Sequence, residues 1–343
     1  NPRLLKERVL VFAGEGWHHG VIGIAASRLE EQFGKPTILI TLEGDRARGS
    51  MRSFGAFSAF RCLHACRELL SRYGGHPGAG GFSLPTEHVE RFRQAVQQYA
   101  KESNPVMPVL TLEADKLLMP QEITMENITG LEALAPFGEG NPVPVFAICH
   151  AVLQSVLPLS GGTHSKLKIT YGGMAMDLLL FRTRPEEVML KTGDVCDFLI
   201  NIEAGSFQGR PQLSVIVKDY RKSGLKQAKY FAAENTYEQY CRHEELQPSF
   251  YPAITPTRDV LVQIYQRIPQ TDTTFDGLFG GMQDLPQMNY CKFRLALDIF
   301  SELGLVQQDL WTRQVHRKPV SAKVDLQQSV LLQGLQKRGV DVV

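Results

Sequence analysis

Apolar residues first gather in a short run at 9–13 (Val-Leu-Val-Phe-Ala) closed by Gly14, the pattern of a buried strand. Val21, Ile22, Ala25, Ala26, Leu29 and Phe33 then recur at helical spacing, and Gly34 stands where a left-handed residue would end that helix. Residues 36–42 and 47–53 read as two further strands. Phe57, Phe60, Leu63 and Leu70 mark a second amphipathic helix, with Gly74 and Gly75 as its stop. A short strand at 81–84 precedes a helix running from an N-cap at Thr86 to Lys101. Strands alternating with helices in this way predict an α/β domain across residues 1–104.

The turn-rich Ser103-Asn-Pro-Val-Met-Pro108 separates that domain from a different pattern. Short strands at 109–115, 143–157, 166–170, 174–181, 195–203 and 211–218 are separated by glycine pairs, with one helical insert near 124–134. This density predicts an OB-like β-barrel over 109–222. A polar linker at 221–227 leads into a mainly helical domain, 226–343. Helical spacing at 257–268 and 290–303, with Gly304 ending the second helix, is followed by a hairpin of 305–307 and 311–315 around Asp309. Two helices and a basic hairpin predict a winged-helix-like layout.

Composition narrows the possibilities. The 343 residues are 43% hydrophobic and 21% charged, which fits folded domains with cores of their own and excludes a disordered chain. The 37 basic and 36 acidic side chains nearly cancel, so any nucleic-acid binding must rest on local patches. No apolar run approaches the roughly 20 residues that span a bilayer, so no membrane partner is expected. Six scattered cysteines without a CxxC pair suit a reducing, cytoplasmic location. The chain opens at Asn1, without a methionine and directly before a strand-like run, and reads as a fragment.

Three stretches carry candidate chemistry. Gly74-Gly-His-Pro-Gly-Ala-Gly-Gly81 would let a backbone approach closely and turn N–H groups toward an anion, with His76 able to donate to a phosphate or a leaving oxygen. In Gly49-Ser-Met-Arg-Ser53, strand period puts Ser50 and Arg52 on one face, where a hydroxyl and a guanidinium could meet one phosphate. Arginines 46, 48, 61, 67 and 72 lie around it; Arg61 and Arg67 read as solvated surface. Gly14-Glu-Gly-Trp-His-His-Gly20, between a strand and a helix, is placed like the phosphate-binding turns of α/β sheets, with Trp17 and His18 free to stack or hydrogen-bond. No DxD, Asp-His-His, HExxH or HxH cluster accompanies them, so no metal site is expected within the chain.

These motifs, Gly16-Trp-His-x-Gly-Val-Ile-Gly-Ile24, Gly49-Ser-x-Arg-Ser53 and Gly74-Gly-His-x-x-Ala-x-Gly81, resemble in order and spacing the DHH-associated domain of RecJ-type single-stranded-DNA-specific exonucleases. Leu134-Ala-Pro-Phe-Gly-Glu-Gly-Asn-Pro-Val-Pro-Val-Phe146 and Gly209-Arg-Pro-Gln-Leu-Ser-Val-Ile-Val-Lys-Asp-Tyr-Arg221 resemble the entry and closing strand of the family's OB domain. The tail from about residue 226 is similar to the extra C-terminal domain of Firmicutes-type members. The resemblance implies a parent enzyme that degrades single-stranded DNA from its 5′ end with Mn or Mg held by an N-terminal DHH domain absent here, so that this chain alone binds DNA without cleaving it.

By the same resemblance, Ser50 and Arg52 hold the terminal 5′-phosphate, while His76, with Gly74 and Gly75, faces the metal centre and the scissile phosphate. Met51 stands where glycine is usual, which predicts a narrower pocket or a shifted strand. In the OB segment Lys166, Lys168, Tyr171, Phe181, Phe207 and Arg210 are candidates for the DNA groove, with Phe181 equally suited to the core. Arg313, His316, Arg317, Lys318 and Lys323 form a basic stretch in the expected wing, suited to a DNA backbone, to solvent or to an acidic partner. Partners implied are single-stranded DNA, single-stranded-DNA-binding protein and other repair proteins. Two other readings are a phosphodiesterase for short oligonucleotides or cyclic dinucleotides, and a non-catalytic RNA- or tRNA-binding module.

Overall fold

A computed structural model describes residues 2–138, 140–207, 209–320 and 323–340. Its larger buried apolar clusters fall into three groups, one within residues 9–100, one within 118–217 and one within 237–335.

In the first group the elements are β1 (Leu10–Glu15), α1 (His19–Phe33), β2 (Thr37–Glu43), β3 (Arg46–Arg52), α2 (Ala59–Ala65), β4 (Arg72–His76), β5 (Ala79–Pro85) and α3 (Val89–Ser103). The strands form one sheet in the order β1-β2-β3-β5-β4; β1 and β2 are parallel and the other pairs antiparallel. Helix α1 starts where His18 Nδ1 accepts from the Gly20 N–H, and it ends where Gly34, at φ +60°, donates to Glu30. Ile22 and Ala26 of α1 bury against Leu39 of β2, whereas Ala47 and Met51 of β3 bury on the opposite face with α2 and α3.

Two local expectations are corrected here. Gly74 and Gly75 do not stop a helix: they lie inside β4, because α2 is short and gives way to a 3₁₀ turn at Arg67–Leu69. Thr86 does not cap α3, since its hydroxyl donates to the Gly44 carbonyl and a 3₁₀ turn precedes the helix.

The second group is a closed barrel. After β6 (Lys116–Leu117) and α4 (Met125–Gly130), the strands β7 (Phe146–Leu159), β8 (His164–Tyr171), β9 (Met174–Leu180), β10 (Val195–Phe207) and β11 (Arg210–Lys222) pair in the order β10-β11-β9-β8-β7, and β10 pairs back to β7. The parallel β9–β11 pairing and the antiparallel closure give the OB arrangement. Residues 109–115 are not a strand; ladder pairing begins at Lys116, beside Phe146. The polar linker is shorter than expected, because β11 runs to Lys222.

The third group comprises α5 (Gln227–Cys241), α6 (Tyr251–Ile254), α7 (Arg258–Arg267), β12 (Thr273–Thr274), α8 (Phe275–Gly280), α9 (Tyr290–Glu302), β13 (Val306–Asp309), β14 (Gln314–Arg317) and α10 (Val330–Val340). Strand β12 pairs with β14 in a three-stranded sheet, completing winged-helix order from α7 to β14. Helix α9 is buried along nearly its whole length, from Tyr290 to Phe300. This domain is tied to the first: Trp311 sits 5.5 Å from the Phe12 ring and 5.7 Å from the Phe33 ring. Arg8 pairs with Glu244 at 2.8 Å and Lys35 with Glu238 at 2.7 Å.

Candidate nucleic-acid site

The register of β3, β5 and β4 fixes which side chains share a face. Ser50 pairs with Gly81 and Gly81 with Gly74; Arg52 pairs with Ala79 and Ala79 with His76. Cross-strand partners project to the same side, so Ser50, Arg52 and His76 stand on one face around a floor of glycine and alanine. Helix α1 covers this face only over the β1–β3 side. A Cβ added to Gly74 would meet nothing within 4 Å, and one on Gly81 only the Gly49 carbonyl at 4.0 Å. The floor is open for a chain to lie on.

Arg52 is held in place from three directions. Its Nε donates to Ser27 Oγ at 3.1 Å, and Nη1 donates to Ser50 Oγ and to the Met51 carbonyl, both at 2.9 Å. Ser27 in turn donates to the Gly23 carbonyl. The guanidinium makes no ion pair among the described residues, and its Nη2 has no acceptor there. Glu30 of α1 feels it: burial and Glu31 push the Glu30 carboxyl above its ordinary range while Arg52 pulls it down. A positioned guanidinium with no carboxylate hydrogen-bonded to it among the described residues, beside a hydroxyl, matches the geometry and charge of a phosphate.

Gly23 makes this possible. A Cβ there would lie 2.7 Å from Arg52 Nη2 and 3.2 Å from Ser50 Oγ. Gly23 stands in the Gly16–Ile24 motif without an assigned role, and Ser27 lies outside every motif read from the sequence. The available signal was a glycine inside an apolar helix, which costs about 1 kcal/mol relative to alanine and marks a close approach.

His76 is exposed, and its Nδ1 accepts from the Gly78 N–H at 3.3 Å. In the neutral ring that leaves the proton on Nε2 as a donor. Two strand spacings, about 10 Å, separate it from Arg52. Gly75, at φ +145°, admits no side chain, since a Cβ would meet the Ala79 carbonyl at 2.2 Å. Met51 is fully buried on the opposite face, so it neither narrows the Ser50–Arg52 site nor shifts β3, whose ladder is regular on both sides.

Trp17 lies over Gly14, is 40% exposed, and has its carbonyl tied to Thr41 Oγ1 at 2.7 Å. His18 is committed through Nδ1 to capping α1 and stacks on His19 at 4.8 Å.

On the barrel, Lys166 and Lys168 point outward from β8, alternating with the buried Ser165, Leu167 and Ile169. Asp177 lies opposite Lys168 and pairs with Lys166 at 3.2 Å, so this face is only weakly basic. Arg210 is exposed where β10 turns into β11. The side chain of Phe207 lies outside the described residues. Tyr171 belongs to the core, donating its hydroxyl to the Leu118 carbonyl at 2.6 Å. Phe181 is 44% exposed and meets His164 edge-on.

The basic wing is corrected for Arg313. Its guanidinium turns inward, donating to Asp276 and to the Tyr290 hydroxyl, each at 3.2 Å, with Glu234 at 3.8 Å. His316 pairs with Asp272 at 2.7 Å, and Arg317 lies over the Tyr265 ring at 5.5 Å. Among the described residues no group of three or more His, Cys, Asp or Glu could hold a metal ion, and no helix is long and apolar enough to cross a membrane.

Residues 6–102 match the DHHA1 domain family and residues 114–219 the RecJ OB domain family. The single-stranded-DNA-specific exonuclease RecJ of Bacillus subtilis is 30% identical over 63% of this chain and 28% of its own length. RecJ of Thermus thermophilus is 34% identical over 47% of this chain and 23% of its own, and RecJ of Escherichia coli 28% identical over 59% and 36%. The crystal structure of T. thermophilus RecJ with Mn2+ superposes with a TM-score of 0.53 at 27% identity, covering 63% of this chain and 31% of that one. The Mg2+ complex gives a TM-score of 0.51, covering 64% and 34%. The chain therefore spans between 23% and 36% of the length of these relatives.

Proposed function

We propose that this chain, a DHHA1 domain joined to a RecJ OB domain, is the strand-holding part of an exonuclease that degrades single-stranded DNA from the 5′ end. The observation that carries this reading is the fixed guanidinium of Arg52, in no ion pair among the described residues, beside Ser50 on the same open glycine-floored face as His76.

A terminal phosphate accepts from Arg52 Nη2 and from the Ser50 hydroxyl, which anchors the 5′ end. The glycines let the sugar–phosphate backbone lie against β5 and β4 without a side chain intervening. His76 then offers Nε2–H to a non-bridging oxygen further along, where it stabilises charge that develops during hydrolysis. Lys168 and Arg210 guide the continuing strand over the barrel by contacts to phosphate. A divalent ion such as Mn2+ or Mg2+ supplies activation of water in this chemistry. Among the described residues no group of His, Cys, Asp or Glu is placed to hold that ion; on this reading the chain by itself binds single strands without cleaving them. A cytoplasmic site of action follows from the substrate.

Fluorescence anisotropy with 5′-phosphorylated and 5′-hydroxyl 20-mers tests the reading. Tighter binding of the phosphorylated strand, abolished by Arg52→Ala, supports it. Equal affinity for both ends, dinucleotides binding as tightly as 20-mers, or tRNA outcompeting single-stranded DNA overturns it.

A further inference from the structure

The face that holds Ser50, Arg52 and His76 extends one more row. Arg48 pairs with Ser83, and Ser83 pairs with Arg72, in the same ladders that align Ser50 with Gly74 and Arg52 with His76. Arg48 is two residues from Ser50, and Arg72 two residues from Gly74, so strand period puts both on this face. Three adjacent strands thus present a tray with basic groups at all four corners: Arg48, Arg72, Arg52 and His76. Its middle is built from Ser50, Gly74, Ala79, Gly81 and Ser83, and the glycine floor has no cover among the described residues. Arg72 is exposed on the free edge strand and makes no ion pair among the described residues. Arg48 is paired with Glu43 at 3.4 Å, with both side chains largely exposed, a contact that polyanion can displace cheaply.

We infer that Arg72, assisted by Arg48, is a second phosphate-binding station of this tray, holding the backbone of single-stranded DNA away from its anchored 5′ end. The inference rests on the strand-holding reading above. The two ends of the tray have different chemistry. Arg52 is held by two hydroxyls and a carbonyl and is half-buried beside α1, as suits one end group held in one pose. Arg72 and Arg48 are exposed, as suits successive phosphates of any sequence sliding past. Along β4, four residues at about 3.4 Å each put Arg72 about 14 Å from His76, so the two contact different phosphates.

Salt titrations of 20-mer binding by the full chain test this, with Arg72→Gln, Arg72→Lys, the Arg48→Gln/Arg72→Gln double variant and Arg52→Gln. Each single-strand phosphate contact contributes about −0.7 to the slope of log affinity against log salt. The inference expects Arg72→Gln to reduce the slope by about 0.7 and the double variant by about 1.4. The lysine variant should restore it, and the ratio of 5′-phosphate to 5′-hydroxyl affinity should not change. Arg52→Gln should instead collapse that ratio. An unchanged slope in Arg72→Gln, in a chain that still prefers 5′-phosphate, overturns this inference and leaves the functional reading standing. Failure of the unmodified chain to bind single strands overturns both.

Discussion

Arg52 Nε and Ser27 Oγ, from a strand and a helix 25 residues apart, meet at 3.1 Å. Together with the two bonds from Nη1, to Ser50 Oγ and the Met51 carbonyl, this contact orients the planar guanidinium so that Nη2 is left for a ligand. Removing the hydroxyl by Ser27→Ala leaves the fork held through Nη1 alone, loosening it without removing its charge. A hydrogen bond to a charged group is worth about 1.5–3 kcal/mol, so preference for a 5′-phosphate should fall by about tenfold or more. Ser27→Thr, which keeps the oxygen, should restore it. Overall affinity at low salt should barely move, because the charge remains; a large loss there would mean that Ser27 serves folding alone.

Gly23→Ala separates stability from binding. Alanine is the better helix former by about 1 kcal/mol, so helix propensity alone favours a higher melting temperature. Its Cβ, however, would stand 2.7 Å from Arg52 Nη2. The guanidinium must move, and 5′-phosphate preference should be lost even though the chain melts no lower than within a few degrees of the parent. Intact end preference in a well-folded Gly23→Ala chain would show that the helix does not shape the site.

Glu234 gives the C-terminal domain a pH dependence. Burial pushes its carboxyl up to about 7, with Arg313 opposing and Glu238 and Asp276 reinforcing the rise. The folded state then holds this proton more tightly than the unfolded chain, where the group titrates near 4.5. Its contribution is fully present below about pH 4.5 and is lost as pH rises through about 7. Glu234→Gln, permanently neutral, should therefore gain melting temperature over the parent between pH 5 and pH 8. A constant difference across that range would place the Glu234 titration elsewhere.

Much of the fold was legible because burial writes itself as periodicity. Val21 to Phe33 with Gly34, and Tyr290 to Leu303 with Gly304, mark two helices whose ends are set by local geometry. The errors came where one residue type serves two purposes. Gly74 and Gly75 look like a helix stop, yet they form a strand whose missing side chains are what the site needs. Ser50 and Arg52 were readable as a pair because their spacing is local. Ser27 was not, since its relation to Arg52 exists only after α1 packs across β3. Arg313 failed for the converse reason: a run without acids looks exposed, but its carboxylates, Glu234 and Asp276, arrive from other helices.

That inward placement makes a sharp prediction for Arg313→Met. The substitution leaves Asp276 with only the Tyr230 hydroxyl as donor and the Tyr290 hydroxyl with only Arg294, and it removes the cation nearest Glu234. Breaking a partly buried charged network from one side costs about 2–3 kcal/mol, most of it the penalty of the stranded groups. Denaturant unfolding should show that loss in the C-terminal domain. The salt dependence of single-strand binding should meanwhile match the parent, because no phosphate contact has been removed. Were Arg313 instead part of a DNA-gripping wing, the slope would fall by about 0.7 with little change in stability. The two accounts thus predict opposite patterns in one pair of measurements on a single variant.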